Sequence, residues 1–280
     1  MSIFDEFEKK HEFAVCIDSD GCAMDTMTIK HVRAFGPCLV REWGLENWED
    51  EILERWNVIN LYSRTRGINR FKGLAMMLKE VDESYTEIAG VDELSDWADK
   101  AKELSNDALK EKLEEHEIFK KALSWSLSVN KTVESLPSEL VCPFEGVREA
   151  FDALHGQVDI VVVSSANPEA VRNEWGRYGL LPYVDLICTQ EIGSKAFCIS
   201  KVLEKGYDSE KVLMCGDAPG DLAAAQTNGV LYFPILAGRE TESWKQLKDE
   251  ALALFLEGRY NGIYQDKRIR EFNVNLGTEE

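Results

Sequence analysis

The sequence lacks long apolar runs and is short of basic residues. No apolar run approaches the roughly 20 residues that a membrane-spanning helix needs, so no membrane partner is expected. The 32 lysines and arginines stand against 51 aspartates and glutamates, which gives a formal net charge of −19. This charge argues against nucleic acid or an anionic lipid surface as a partner. A small anionic substrate is still compatible with it, because a local basic cluster can oppose the overall field.

The pattern of the seven cysteines predicts neither a disulfide framework nor a zinc site. Their number is odd, no two have the Cys-x-x-Cys spacing, and Cys16, Cys188 and Cys215 lie inside apolar runs. This usage is typical of reduced, mostly buried thiols. The first twelve residues are acidic and have no apolar segment of the kind that a signal peptide carries. We therefore expect a soluble, cytoplasmic protein.

Five short apolar runs predict buried strands. The last four runs are separated by three helical patterns, at Glu169–Tyr178, Lys195–Lys205 and Asp221–Asn228. Apolar strands that alternate with helices indicate a parallel sheet covered on both faces. The fold class is therefore predicted to be α/β, with a doubly wound, Rossmann-like core. The predicted strands are Phe13–Ile17, Val158–Val163, Val184–Cys188, Val212–Cys215 and Val230–Pro234.

The first two predicted strands are separated by far more residues than one crossover helix requires. Helical patterns occupy most of this interval, through Trp48–Val58, Arg70–Val81 and Leu94–Val129. They predict an inserted all-helical domain over residues 22–140, connected through Gly21 and the proline-containing segment Leu136–Pro143. The catalytic α/β core would then be discontinuous, with residues 1–21 and 141–280. Near the end of the chain, Glu240–Gly258 has the pattern of another amphipathic helix.

Polar residues follow four of the predicted strands. In a doubly wound sheet, ligands bind at the carboxyl ends of the strands, so these side chains are expected to share one edge. Carboxylates there can hold a magnesium ion, and a hydroxyl and an ammonium group can hold phosphate oxygens. Asn167-Pro168 also predicts a helix start, with free amides that point toward a bound anion. In chain order the residues are Asp18 and Asp20; Ser164, Ser165 and Asn167; Lys195; and Asp217 and Asp221.

This arrangement strongly resembles the haloacid dehalogenase-like hydrolase superfamily. Asp18-Ser19-Asp20-Gly21 is similar to its Asp-x-Asp nucleophile motif, Ser164 to its second motif and Lys195 to its third. The segment Gly216–Ala225 is similar to its acidic Gly-Asp-x-x-x-Asp motif and the helix that follows. The resemblance covers about residues 11–21 and 141–235. It implies the type with a helical cap inserted between the first and second motifs, in the phosphatase and phosphoglucomutase-like branch.

The resemblance also implies a mechanism. Asp18 would attack phosphorus to form an aspartyl-phosphate, and Asp20 would act as the general acid and then the general base. Ser164 and Lys195 would hold the transferring phosphoryl group. Magnesium would be bound by Asp18, by Asp217 and by the backbone carbonyl of Asp20, with Asp221 supporting the site. The implied function is magnesium-dependent hydrolysis of a small phosphorylated metabolite.

Several alternatives stay open on the sequence. Lys201 competes with Lys195 for the third motif, and Cys22 stands where the family more often has Thr or Val. Asp20 favours phosphate-ester chemistry, because relatives that cleave other bonds do not need this acid. A phosphomutase or phosphotransferase of the same fold is the closest alternative, and a non-catalytic phosphate-binding module is the alternative from another class. The sequence determines neither the oligomeric state nor the substrate.

One basic cluster stands out in the predicted cap. No acidic residue occurs between Glu54 and Glu80, and this interval contains Arg64, Arg66 and Arg70. Arginine suits bidentate recognition of phosphate or carboxylate, so we predict that these three residues contribute to substrate binding. The alternative is a solvated basic face that pairs with acidic helices of the same domain.

Overall fold

The computed structural model describes residues 3–277, which form two compact units. The core unit contains the residues up to Met27 together with those from Ser138 onward, and the helical unit is Thr28–Pro137. The predicted cap limits, residues 22 and 140, lie a few residues outside the helical unit. As a functional division into a catalytic domain and a cap, this assignment stays a prediction.

The core unit is built on a five-stranded, all-parallel sheet in the order β5-β4-β1-β6-β7. It confirms the predicted α/β class, and each predicted strand is present within two residues of its expected start. β1 is the central strand, in which Ile17 is paired with Val162 on one side and Cys215 on the other. Within residues 3–277, the strands of this unit are β1 (Ala14–Ile17), β2 (Met24–Asp25), β3 (Cys142–Pro143), β4 (Asp159–Val163), β5 (Leu186–Cys188), β6 (Val212–Gly216) and β7 (Leu231–Pro234).

Both faces of the sheet are covered, as the apolar strands require. Val15 and Ile17 of β1 belong to one buried cluster, whereas Ala14 and Cys16 belong to another. Successive side chains of a strand point to opposite faces, so the two clusters lie on the two sides of the sheet. The helices of the core unit are α1 (Ile3–Glu6), α9 (Val147–Leu154), α10 (Pro168–Arg177), α11 (Lys195–Leu203), α12 (Pro219–Asn228), α13 (Glu240–Gln246), α14 (Leu252–Leu256) and α15 (Ile263–Asn275), and a short α2 (Met27–Lys30) spans the limit of the unit.

The helix predicted at Glu240–Gly258 is present. It runs as α13 and α14, joined by a π-helical turn at Leu247–Ala251. The charged segment after it forms α15. Trp244 and Phe255 are buried in the first cluster and Phe272 in the second, so this part packs on both sides of the core.

A two-stranded antiparallel ribbon lies where the chain leaves the core unit and returns to it. It pairs Met24 with Pro143 and Asp25 with Cys142. Strands of two residues are too short to show an alternation of apolar and polar residues, so the sequence does not predict this ribbon.

The helical unit has an aromatic core, which includes Trp56, Trp97 and Trp125. The helical pattern predicted over Leu94–Val129 is occupied by three helices with two breaks between them. Ser105 and His116 explain the breaks, because each accepts a hydrogen bond from a backbone amide at the start of the next helix. After a π-helical turn at His31–Phe35, the helices are α3 (Gly36–Trp43), α4 (Glu49–Leu61), α5 (Arg70–Ser84), α6 (Val91–Lys100), α7 (Asn106–Lys110) and α8 (Glu117–Glu134). Across residues 3–277, no helix combines the length and apolar character that a membrane span requires.

Candidate active site

Asp18 is the first residue after the central strand. Its backbone amide still donates to the carbonyl of Cys215 at 3.0 Å, so the sheet fixes the start of the loop that carries it. The strand order places the end of β4 on one side of Asp18 and the end of β6 on the other. Ser164 and Asp217, which follow those two strands, therefore lie at the ends adjacent to Asp18.

Lys195 joins two of the predicted acids. Its Nζ lies 2.8 Å from Asp18 Oδ2 and 2.5 Å from Asp221 Oδ1, and all three side chains are largely buried. Lys195 is the first residue of α11, whose N-terminus is capped by the hydroxyl of Ser194. The competing candidate, Lys201, lies two turns further along this helix and pairs with Glu204. Of these two lysines, the geometry therefore favours Lys195.

The acids outnumber the bases in this cluster. Asp18, Asp217 and Asp221 are all buried, and each offers a carboxylate oxygen within 4.8 Å of the others. Burial raises the pKa of Asp18 well above its usual value; Lys195 lowers this pKa, whereas Asp221 and Asp217 raise it further. Burial lowers the pKa of Lys195, but the Asp18 and Asp221 carboxylates outweigh burial and raise it above the usual value.

This donor set fits a hard divalent cation. Magnesium prefers carboxylate, carbonyl and water oxygens, and three buried carboxylates are only partly compensated by one lysine. The Asp20 carboxylate is outside this group, and the family resemblance implies only its backbone carbonyl as a metal ligand. The role of each acid as a metal ligand stays a prediction.

The loop after β4 carries the other three predicted residues. Ser164 is buried, and its Oγ accepts a hydrogen bond from the amide of Ala166 at 3.1 Å. Asn167 caps α10, because its Oδ1 accepts from the amides of Glu169 at 2.9 Å and Ala170 at 3.4 Å. The predicted helix start at Asn167-Pro168 is confirmed. Ser165 and Asn167 are exposed, so only Ser164 of the three is buried at the sheet edge.

Asp20 has a hydrogen-bond partner that was not predicted from the sequence. The hydroxyl of Thr26, a fully buried residue, donates to Asp20 Oδ1 at 2.6 Å. This bond holds the side chain that is predicted to serve as acid and base. The only sequence signal is a threonine six residues after Asp20, which is too common a feature to indicate a contact.

Asp221 has a structural role as well as an electrostatic one. Its Oδ2 accepts a hydrogen bond from the amide of Ala218 at 3.0 Å, which satisfies a free donor at the start of α12. The same carboxyl group packs directly on the Cα of Gly216, where any side chain would overlap with it. The glycine of the acidic motif is therefore required by the close approach of Asp221.

The three predicted arginines lie in the helical unit. Arg70 is partly buried, and its Nη1 donates to Ser126 Oγ at 3.1 Å and to Asn130 Oδ1 at 2.7 Å. Arg66 is buried and donates to the carbonyl of Leu61 at 2.7 Å, whereas Arg64 is exposed. Their predicted part in substrate binding stays a prediction.

Comparison with known proteins identifies a family by sequence and solved structures with a similar fold. The sequence profile of the haloacid dehalogenase-like hydrolase family matches residues 87–234, just over half of the chain. A haloacid dehalogenase-like family hydrolase from Xanthomonas campestris has a similar fold, with a TM-score of 0.52 and 16% identity over 89% of this chain and 94% of that one. A haloacid dehalogenase-like family protein from Streptococcus pneumoniae has a TM-score of 0.49 and 13% identity over 87% and 98% of the two chains. No curated protein matches the sequence.

Replacing Gly216 with alanine should displace Asp221 and destabilise the protein. The added methyl group would overlap with the buried Asp221 carboxyl, and overpacking of this kind costs about 1–3 kcal/mol of unfolding free energy. Gly220→Ala is the matched control, since an added methyl group there meets no atom within 4 Å and Gly220 lies in α12. Denaturant unfolding measures both variants. Equal stability of the two would contradict the close approach of Asp221 to Gly216.

Asp18→Asn should raise the melting temperature when no divalent cation is present. The pKa of Asp18 is raised in the folded protein, so the folded form retains a proton that the unfolded chain releases. The free energy of unfolding therefore falls as the pH rises from the usual value of 3.8 toward the raised pKa, and the amide removes this loss.

Thermal unfolding in EDTA between pH 4 and pH 8 measures this effect. Asp92→Asn, at a side chain 85% exposed, is the control and should leave the profile unchanged. Magnesium should raise the melting temperature of the wild type more than that of Asp18→Asn. A wild type less sensitive to pH than Asp18→Asn would contradict the prediction.

Proposed function

Because the chain belongs to the haloacid dehalogenase-like hydrolase family, we propose that it is a magnesium-dependent phosphatase of small phosphorylated metabolites. The observation that carries this proposal is the Asp18 carboxylate, which is buried at the end of the central strand and paired with Lys195. A buried carboxylate next to an ammonium group is suited to attack an anionic phosphoryl group, because the cation offsets the repulsion between them.

In each half of the proposed reaction, one bond to phosphorus forms, another breaks, and Asp20 transfers one proton. In the first half, an oxygen of Asp18 bonds to phosphorus while the bond from phosphorus to the substrate oxygen breaks, and Asp20 donates a proton to that oxygen. In the second half, Asp20 takes a proton from water, which attacks phosphorus and releases Asp18 and inorganic phosphate. The Thr26 hydroxyl, which donates to Asp20 Oδ1, would orient this group for both proton transfers.

The transferring phosphoryl group would be held by Ser164 and Lys195. The Ser164 hydroxyl already accepts a hydrogen bond from the amide of Ala166, and it keeps its own proton for donation to a phosphoryl oxygen. Lys195 would neutralise part of the negative charge. Ser165 and Asn167 are weaker candidates in the same loop, since Asn167 already caps α10.

Magnesium would be held by Asp18, by Asp217 and by the backbone carbonyl of Asp20, with Asp221 supporting the site. When bound, it supplies positive charge that stabilises the phosphoryl oxygens in the transition state. Asp221 would act mainly through Lys195, with which it forms an ion pair.

We propose that the helical unit acts as the cap and supplies substrate specificity, with Arg70 as the best of the three arginine candidates. Its guanidinium donates to the neutral side-chain oxygens of Ser126 and Asn130, and it forms no ion pair with a carboxylate among residues 3–277. Its charge is therefore uncompensated by these contacts and suits a second anionic group of the substrate. Arg64 and Arg66 are proposed with it as binding residues.

Hydrolysis of p-nitrophenyl phosphate tests the proposed reaction. We expect magnesium-dependent release of phosphate by the wild type and a loss of at least about 1,000-fold in kcat for Asp18→Asn, since the amide is not a nucleophile. Failure of the wild type to hydrolyse any of a panel of phosphorylated sugars, nucleotides and amino-acid derivatives would overturn the enzyme assignment. So would activity that survives Asp18→Asn.

Arg70→Ala should raise KM by about tenfold for the best substrate of that panel that carries a second anionic group. Loss of charge-assisted hydrogen bonds to that group is the reason. Neither KM for p-nitrophenyl phosphate nor kcat should change by more than about twofold. Arg55→Ala removes the same charge from a surface position paired with Glu80 and is the control. If both variants raise KM equally, the increase results from the loss of one positive charge anywhere on the protein. This result would contradict a binding role for Arg70.

A further inference from the structure

We infer that Trp175 and Trp244 are positioning residues. Each holds the loop that carries Asp18 and Asp20 through one buried indole hydrogen bond. The inference rests on the proposed function of these aspartates. Both tryptophans are fully buried in the core unit. Neither belongs to a motif that the sequence analysis identified.

The first hydrogen bond reaches the residue between the two aspartates. Trp175, on α10, donates from Nε1 to Ser19 Oγ at 2.9 Å, and Ser19 is itself fully buried. The carbonyl of Ser19 accepts from the amide of Met24 at 2.8 Å. The hydroxyl and the carbonyl of Ser19 are thereby hydrogen-bonded away from solvent, which fixes the orientation of the backbone between Asp18 and Asp20.

The second hydrogen bond reaches the other end of the turn. Trp244, on α13, donates from Nε1 to the carbonyl of Cys22 at 2.9 Å. Trp244 lies beyond residue 234, where the match to the family profile ends. The C-terminal helices therefore contribute directly to the loop that carries the predicted nucleophile.

Asp20 lies between these two anchors, in a turn that would otherwise be adaptable. Gly21 has a φ of +79°, and its amide donates to the carbonyl of Met24 at 2.9 Å. Glycine adopts this conformation readily, but it also makes the turn more flexible. The hydrogen bonds to Ser19 and Cys22 on either side restrict that flexibility. Both indole rings pack against the ring of Phe151. Its centroid lies 5.6 Å from that of Trp175 and 6.0 Å from that of Trp244.

Phenylalanine substitutions test the two hydrogen bonds and keep most of the packing. Trp175→Phe and Trp244→Phe should each lower kcat for p-nitrophenyl phosphate by about five- to tenfold and change KM by less than about twofold, because a buried acceptor loses its donor and the turn relaxes. Trp125→Phe is the matched control. Trp125 is equally buried, and its indole donates to the carbonyl of Phe35 at 3.2 Å within the helical unit. This control should lose comparable stability without the loss in kcat.

A double-mutant cycle separates the hydrogen bond from packing at Trp175. Ser19→Ala should lower kcat by a similar factor, and the Ser19→Ala, Trp175→Phe double variant should be no slower than the slower single variant. If the kcat losses of the two single variants multiply in the double variant, Ser19 and Trp175 act independently. This result would overturn the positioning role of Trp175.

Amide hydrogen exchange provides a readout that does not depend on activity. Exchange of residues 18–26 should be faster in Trp175→Phe and Trp244→Phe than in the wild type, and unchanged in Trp125→Phe. Unchanged exchange and unchanged kcat in both variants would overturn the inference, although Asp18→Asn could still abolish hydrolysis and so uphold the proposed function. If the wild type hydrolyses none of the substrates, the proposed function fails. Faster exchange of residues 18–26 in Trp175→Phe and Trp244→Phe, but not in Trp125→Phe, would still show that the two tryptophans hold the loop.

Discussion

The structure depends on one electrostatic constraint, which is the burial of three carboxylates beside a single ammonium group. Asp18, Asp217 and Asp221 lie within 4.8 Å of one another, and Lys195 pairs with two of them. Like charges at this distance repel strongly when they are removed from water. Such an arrangement persists only where the backbone prevents the groups from separating and where positive charge is available. Both conditions are consequences of the sheet and of the helix that begins at Lys195.

The parallel sheet brings these groups together from remote parts of the chain. β1 lies between β4 and β6, so the residues that follow the three strands meet at one edge. Asp221 reaches the cluster from the first turn of α12, where it also caps the free amide of Ala218. This position requires the absence of a side chain at Gly216. A structural requirement of the helix start and an electrostatic requirement of the site are thus met by the same carboxylate.

The sequence predicts the features that depend on local patterns. Buried parallel strands are short apolar runs, and the acids directly after them could be placed at the sheet edge from strand polarity alone. Features that depend on single contacts could not be predicted. The two-residue ribbon has no periodicity, and the helix breaks at Ser105 and His116 depend on side-chain caps rather than on glycine or proline. The indole of Trp175 and the hydroxyl of Ser19 are 156 positions apart, and one sequence contains no signal that pairs them.

The same electrostatic constraint explains why the Asp18 loop needs support from the interior. Two aspartates lie in this loop, and both would lower their energy by moving apart or into water if the turn were free. Sheet pairing fixes the amide of Asp18 but ends there. Beyond that point the turn is held by the Thr26 hydroxyl on Asp20 and by the indoles on Ser19 and Cys22. Uncharged donors suit this purpose, because they hold the loop without neutralising the carboxylates on which the proposed chemistry depends.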